Sequence, residues 1–377
     1  MNHYTGTMTG GRLHPTQTCG PRGSIERASA WLVLCISVFC ASGQNFAESA
    51  PGTGQRPTAA TKPRYQDYLQ ARQKARAWFD DLEVDSVELL KHRIKGKKKV
   101  AEILGVYMHF LNHTKDPQEI AHIADRVKLP VGQTAGPEYH NMGTCGEREL
   151  IQNSMSYFRV MWLMREFGLD ISSYLEEVRK VKPRMDEHFK KRGPWQRAMF
   201  AEYYDRFGLQ KPPILLSVTG MKKGVIARRL PVDRNDPPKT GPVQWPTQDR
   251  YDLTHEVFVA FNYGLERTQT RFDAGDLAYT RKVLPVLARR CIREKNPDLL
   301  AELLSCMTYL GWHSEPAYRD GVNFLLDVQN ANGTWGDYEK LRQEYGKYLD
   351  QHGYLHTTMV AMRALLEFYE GNWKAGE

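Results

Sequence analysis

The chain has 377 residues, 41% of them hydrophobic and 25% charged, the proportions of a globular protein. Mean hydropathy is −0.57 and no apolar run reaches the roughly 20 residues of a membrane-spanning helix, which excludes a protein built of spans. The formal net charge is +8, and about +7 of it falls after residue 50, because the first 50 residues carry three Arg and two Glu.

At the N-terminus, Arg22 and Arg27 precede the apolar run Trp31–Ser42, and Ala41-Ser42-Gly43 offers small residues to a signal peptidase. A positive region, an apolar stretch of roughly 7–15 residues and a small-residue exit make a secretory signal. It is expected over 1–43, with an uncut anchor as the alternative. Residues 44–63 are small, polar and rich in Pro and Gly, as a linker is, and 64–377 is expected to be one domain. The expected destination is the periplasm or the exterior. There a basic surface meets acidic glycans or anionic envelope components, and nucleic acid is not an expected partner. Cys19, Cys35 and Cys40 belong to the leader. Cys145, Cys291 and Cys306 remain, an odd number without CxxC spacing, which is no disulfide framework; a single pair such as Cys291 with Cys306 stays open.

Helical periodicity dominates the rest, with no alternating strand pair. Helices are predicted over 65–81, 86–94, 98–113, 117–127, 146–167, 170–191, 194–207, 252–264, 276–294, 297–310, 315–329, 338–350 and 355–370. Asp116-Pro117, Asn296-Pro297 and Ser314-Glu-Pro316 each set a capping side chain ahead of a proline in the first turn. Phe167-Gly168, Tyr263-Gly264 and Leu310-Gly311 read as stops. The stretches 128–144 and 208–250 are expected to be long loops. The Lys97–Lys99 run reads as a solvated turn.

The helices alternate in character. Glu147–Phe167, Leu299–Leu310 and His356–Tyr369 are apolar nearly all round, whereas their successors keep one polar face. An all-round apolar helix is buried and its amphipathic partner lies outside. The expected fold is therefore all-α, an α/α toroid in which inner and outer helices pair around a ring.

Gln329, Gly333 and Trp335 in Val328-Gln-Asn-Ala-Asn-Gly-Thr-Trp-Gly336 resemble the Q-x-x-x-G-x-W signature of the terpenoid cyclase and protein prenyltransferase superfamily, whose domains are α/α toroids. In that superfamily the Gln and Trp tie an outer helix end to the next turn, so the resemblance implies structure alone. The acidic DxDD and DDxxD motifs of terpene chemistry are absent. Gly143-Thr-Cys145-Gly-Glu147-Arg148 resembles the GCGEQ motif of complement-like thioester domains, themselves toroids. Arg148 stands where the acylating Gln belongs, so no internal thioester forms.

Polar residues gather at the expected starts of inner helices: Tyr139 to Glu147, Asp252 to Glu256, and His352 to Thr358. Helix N-termini favour thiolates and anions. Trp312-His313 closes an inner helix and belongs to the opposite mouth. The first reading of the site is a metal centre of Cys145, His255 and His356, with Asp252 or His140 in support, suited to zinc or copper. Glu256 or Tyr354 would move protons there. The resemblance to prenyltransferases implies zinc at the toroid mouth, although their ligand motif is missing. A second reading is a lyase on acidic glycans, with His255 and Tyr263 about 80° apart on one helix face, beside Asn262. A third is non-catalytic binding of a small molecule or envelope component in the same cleft.

Overall fold

The structure, a computed structural model, describes residues 62–82, 85, 95–216, 224–232, 245–264 and 272–371. The expected leader, the linker up to residue 61 and the helix expected over 86–94 lie outside them. Among the described residues the fold is all-α, without a strand. Eleven long helices follow the chain: α1 Tyr65–Asp81, α2 Lys95–Asn112, α3 Pro117–Thr134, α4 Glu147–Glu166, α5 Ser172–His188, α6 Pro194–Arg206, α7 Thr247–Ala260, α8 Ala274–Arg293, α9 Pro297–Tyr309, α10 Pro316–Asp327 and α11 Leu355–Tyr369. None is long and apolar enough to cross a membrane.

The helix boundaries follow local chemistry. Asp116 Oδ1 accepts from Gln118 N at 2.9 Å and Asn296 Oδ1 from Leu299 N at 3.1 Å, capping α3 and α9 ahead of their first-turn prolines. At α10 the cap residue is Glu315, and no side chain performs that role. Gly168, Gly264 and Gly311 stop α4, the turn after α7, and α9 with φ of 74°, 90° and 79°, a region that glycine enters without a Cβ clash.

Three elements differ from expectation. Helix α3 runs on to Thr134 through Pro130, where the sequence suggests a loop from 128. Ile123, Val127, Pro130 and Thr134 continue one buried stripe, and that burial outweighs the single amide hydrogen bond Pro130 removes. Residues 338–350 are not one helix but short turns broken at Gly346, whose φ is 54°. Helix α7 begins at Thr247, inside the expected loop, and ends at Ala260.

Packing follows the alternation of the sequence. Every residue of α9 from Leu299 to Tyr309 is buried, whereas α5 buries only the stripe Tyr174, Val178, Val181 and Met185. The contacts between the buried helices form a closed circuit: α2 packs on α4, α4 on α6, α6 on α7, α7 on α9, α9 on α11, and α11 returns to α2. Helices α3, α5, α8, α10 and α1 pack against this circuit from outside. Between α6 and α7 the described residues hold only the four-residue turns Pro213–Leu216 and Val225–Arg228.

The ends of the described chain meet. Tyr68 of α1 stacks on Tyr369 of α11 with ring centroids 4.2 Å apart, and Tyr369 OH donates to the Pro63 carbonyl at 3.0 Å. The Gln329–Trp335 turn is tied to the helices on either side of it. Trp335, fully buried, donates its indole N–H to the Leu325 carbonyl at 2.7 Å, while the Gln329 amide donates to the Ala71 carbonyl of α1 at 2.9 Å.

A carboxylate and histidine centre where inner helices begin

Side chains from α2, α7, α9 and α11 converge. His356, near the start of α11, donates from Nδ1 to Glu102 Oε1 of α2 at 2.8 Å. Its Nε2 faces Glu302 Oε1 at 3.5 Å and Asp298 Oδ1 at 3.6 Å, both on α9. From α7, Thr254 Oγ1 donates to Glu302 Oε2 at 2.5 Å, and Tyr251 OH donates to Asp298 Oδ2 at 2.5 Å. Lys99 of α2 completes Glu102 at 2.9 Å, with Lys98 3.5 Å away. His255, beside Thr254, donates its Nδ1–H to the Tyr251 carbonyl at 2.7 Å. Because a carbonyl only accepts, this bond fixes the tautomer and leaves Nε2 as the lone-pair nitrogen. The Trp195 ring from the start of α6 lies 4.5 Å from the His255 ring.

Electrostatics drive the two histidines apart. Burial alone would lower the affinity of His356 for a proton, yet Glu102, Glu302 and Asp298 together raise its pKa to about 9. At His255 burial dominates, with Lys98 and His356 acting in the same direction, so its pKa falls below the ordinary value even though Glu302 opposes the shift. One ring is therefore an imidazolium and the other a neutral imidazole at neutral pH. Glu102 is buried, which by itself favours the acid form; Lys99, Lys98 and His356 outweigh burial and hold it ionised. Glu302 is held ionised in the same way by His356 and the Thr254 hydroxyl.

The other expected site residues lie elsewhere. The thiol of Cys145 donates to the Met142 carbonyl at 3.5 Å. Its charged neighbours are Glu149, Arg184 and Lys97, and neither His255 nor His356 is among them. Burial and Glu149 push it up, so the thiolate expected at a helix start is not favoured. Glu256 caps the turn at Val225 and Ile226, accepting from both amides at 2.6 Å and 3.1 Å, and is 1% exposed. Asp252 accepts from Trp195 Nε1 at 3.0 Å, and His140 pairs with Glu177 at 3.1 Å. Tyr354 donates to Glu339 at 3.1 Å. Tyr263 is not on the His255 helix at all: Asn262 and Tyr263 lie past the end of α7 with φ of 47° and 54°, so the helix-face relation to His255 does not hold. Cys145, Cys291 and Cys306 are all free and buried.

Sequence reasoning passed over Glu102, Asp298, Glu302 and Tyr251, and set Lys98 and Lys99 aside as a solvated run. Lys97 and Lys99 are in fact 2% and 5% exposed. The available signal was a single acid inside an otherwise apolar helix, as in Leu299-Leu-Ala-Glu302-Leu-Leu, since lone charges are rarely buried without partners.

Among the described residues no group of three or more His, Cys, Asp or Glu is spaced to hold a metal ion. No curated protein and no solved structure matches the chain. Residues 67–366, most of the chain and nearly all of the helical circuit, match the family model described as Domain of unknown function (DUF6895), and the chain belongs to that family.

Proposed function

We propose that the helical circuit is an α/α toroid and that the chain is an exported enzyme working by general acid–base catalysis at one mouth of it. His255 Nε2 serves as the base and His356 as the acid. The observation that carries this reading is the pairing of a neutral and a protonated imidazole around one carboxylate, Glu302. Environments that push two titratable groups apart are the mark of an acid and a base prepared for separate steps. Glu102, Glu302 and Asp298 keep the proton on His356, and the Tyr251 carbonyl aims His255.

The reaction class that fits is elimination from an acidic glycan. His255 takes the proton from carbon, the C–O bond breaks as the double bond forms, and His356 gives its proton to the departing oxygen. Export is supported by the composition of residues 1–43. The zinc or copper reading has less support: the carboxylates facing His356 already neutralise its proton and Lys99, and Cys145 faces other partners.

Purified chain incubated with a panel of acidic polysaccharides should release unsaturated uronate absorbance. His255→Ala and His356→Ala should each reduce that rate by about 10²–10⁴-fold. Turnover that survives both substitutions sinks the assignment; binding of the same glycans without turnover favours the envelope-binding reading instead. Stoichiometric metal in the purified protein, lost in His255→Ala, would restore the metal centre.

A further inference from the structure

Seven residues further along three of the converging helices lies a second layer. His109 follows Glu102 on α2, Tyr309 follows Glu302 on α9 and Arg363 follows His356 on α11. Seven residues turn a helix almost twice, so each pair shares a face and the second layer sits about 10 Å below the first. Arg363 is 2% exposed, with its guanidinium 4.4 Å from the Phe258 ring of α7. Arg159, from α4, sits 4.5 Å over the ring of Tyr263. Both lie within electrostatic reach of His109, which burial and the two arginines keep neutral.

Neither arginine is matched. Among the described residues no carboxylate pairs with Arg159 or Arg363, and Arg159 Nε, Arg363 Nε and Arg363 Nη2 are buried without a hydrogen-bond partner. A guanidinium cannot escape by losing its proton, and a buried donor left unmatched is destabilising. The free Nε and Nη2 of Arg363 form one edge of the fork, the edge that grips two oxygens of a single oxyanion. The aromatic faces hold both cations in place without consuming those donors.

We propose that the interior of the ring contains an oxyanion site built by Arg363 and Arg159, taking a carboxylate, sulfate or phosphate group. At about 10 Å from the histidines it is too deep to touch the reacting atoms. It anchors the far end of a ligand that enters at the mouth. That bearing on substrate rests on the acid–base reading; the binding itself does not.

The experiment titrates the full chain at low ionic strength with inorganic phosphate, sulfate and glucuronate, by calorimetry and thermal unfolding, against chloride at matched ionic strength. At least one oxyanion should bind with one-to-one stoichiometry and raise the unfolding temperature beyond the chloride control. Arg363→Met and Arg159→Gln should each weaken that binding at least tenfold. If Arg363→Met fails to fold, Arg363→Lys, which keeps the charge and loses the fork, carries the same expectation. Preference for glucuronate supports the site with a glycan as its source, and preference for phosphate or sulfate supports it with a different source. Equal behaviour in all oxyanions and chloride, or undiminished binding in the arginine variants, overturns it. His255→Ala and His356→Ala should bind the oxyanion as the unsubstituted chain does, so the two readings fail separately.

Discussion

His356 shows how a residue's surroundings set its charge. Its raised pKa means that folding takes up a proton, so the pairing stabilises the fold fully below the ordinary histidine range and ceases to do so as pH rises through about 9. Glu102 and Glu302 act at the other end: their depressed values favour the fold above the ordinary carboxylate range, and acid removes that contribution. Glu302→Gln should lower the His356 titration, followed through its imidazole proton resonance, toward the ordinary histidine range and cost roughly 3–5 kcal/mol in denaturant unfolding. For the reaction, rate should rise with pH as His255 loses its proton below the ordinary histidine range, and fall near pH 9 as His356 loses its own. A profile with a single rising limb would contradict these roles. Glu256 behaves oppositely to the rim acids. Burial raises it to about 7, so ionising it opposes folding as pH climbs from the ordinary carboxylate range to that value. Glu256→Gln should therefore flatten the pH dependence of stability between roughly pH 5 and 8 by on the order of 3 kcal/mol, read from urea midpoints at both ends.

At the scale of elements, the turn from Gln329 to Gly336 packs the end of α10 against α1. Gly333 has φ of 92°, and a Cβ there would lie 2.4 Å from the Lys74 carbonyl oxygen of α1. Because backbone cannot step aside as a side chain does, Gly333→Ala should lower stability by about 3 kcal/mol or more, with Trp335→Ala in a similar range of about 3–5 kcal/mol. Thermal unfolding of the two variants checks this. The same turn shows what a sequence can convey. Helix starts at Asp116 and Asn296, stops at Gly168 and Gly311, and the alternation of buried and half-buried helices are all local patterns, and they match the structure closely. Local sequence also singled out His255 and His356 as polar residues on apolar helices, but the helix start expected at Asp252 lies at Thr247, which sets His255 in the third turn. Partnerships were not legible. Nothing local to Glu256 says that it will cap Val225, and nothing near Cys145 says that Lys97 and Arg184 will be its charged neighbours. The helix continues past residue 127 because the burial of Pro130, a tertiary effect, outweighs that residue's usual role as a breaker.

Across the whole molecule, the circuit means that no inner helix is sufficient to itself. Each packs on two neighbours in the circuit, and α2, α4, α9 and α11 carry an outer helix as well, so unfolding should be one cooperative transition. Tyr369→Ala, which removes the stack on Tyr68, should shift that single transition by about 3–5 kcal/mol without splitting it. Two resolved transitions in calorimetry would instead show separable halves.

The position of α11 carries a consequence for synthesis. It is the last helix described, yet it closes the circuit against α2 and also brings His356 to Glu102, more than 250 residues away. Contacts of such sequence separation form slowly, because a long stretch of chain must be ordered before any of them rewards the cost. A nascent chain therefore carries an open arc of helices with its inner faces bare until this segment emerges. A chain broken off before residue 355 would lack the closing helix and His356 together, so under the proposed acid–base reading it should show no turnover.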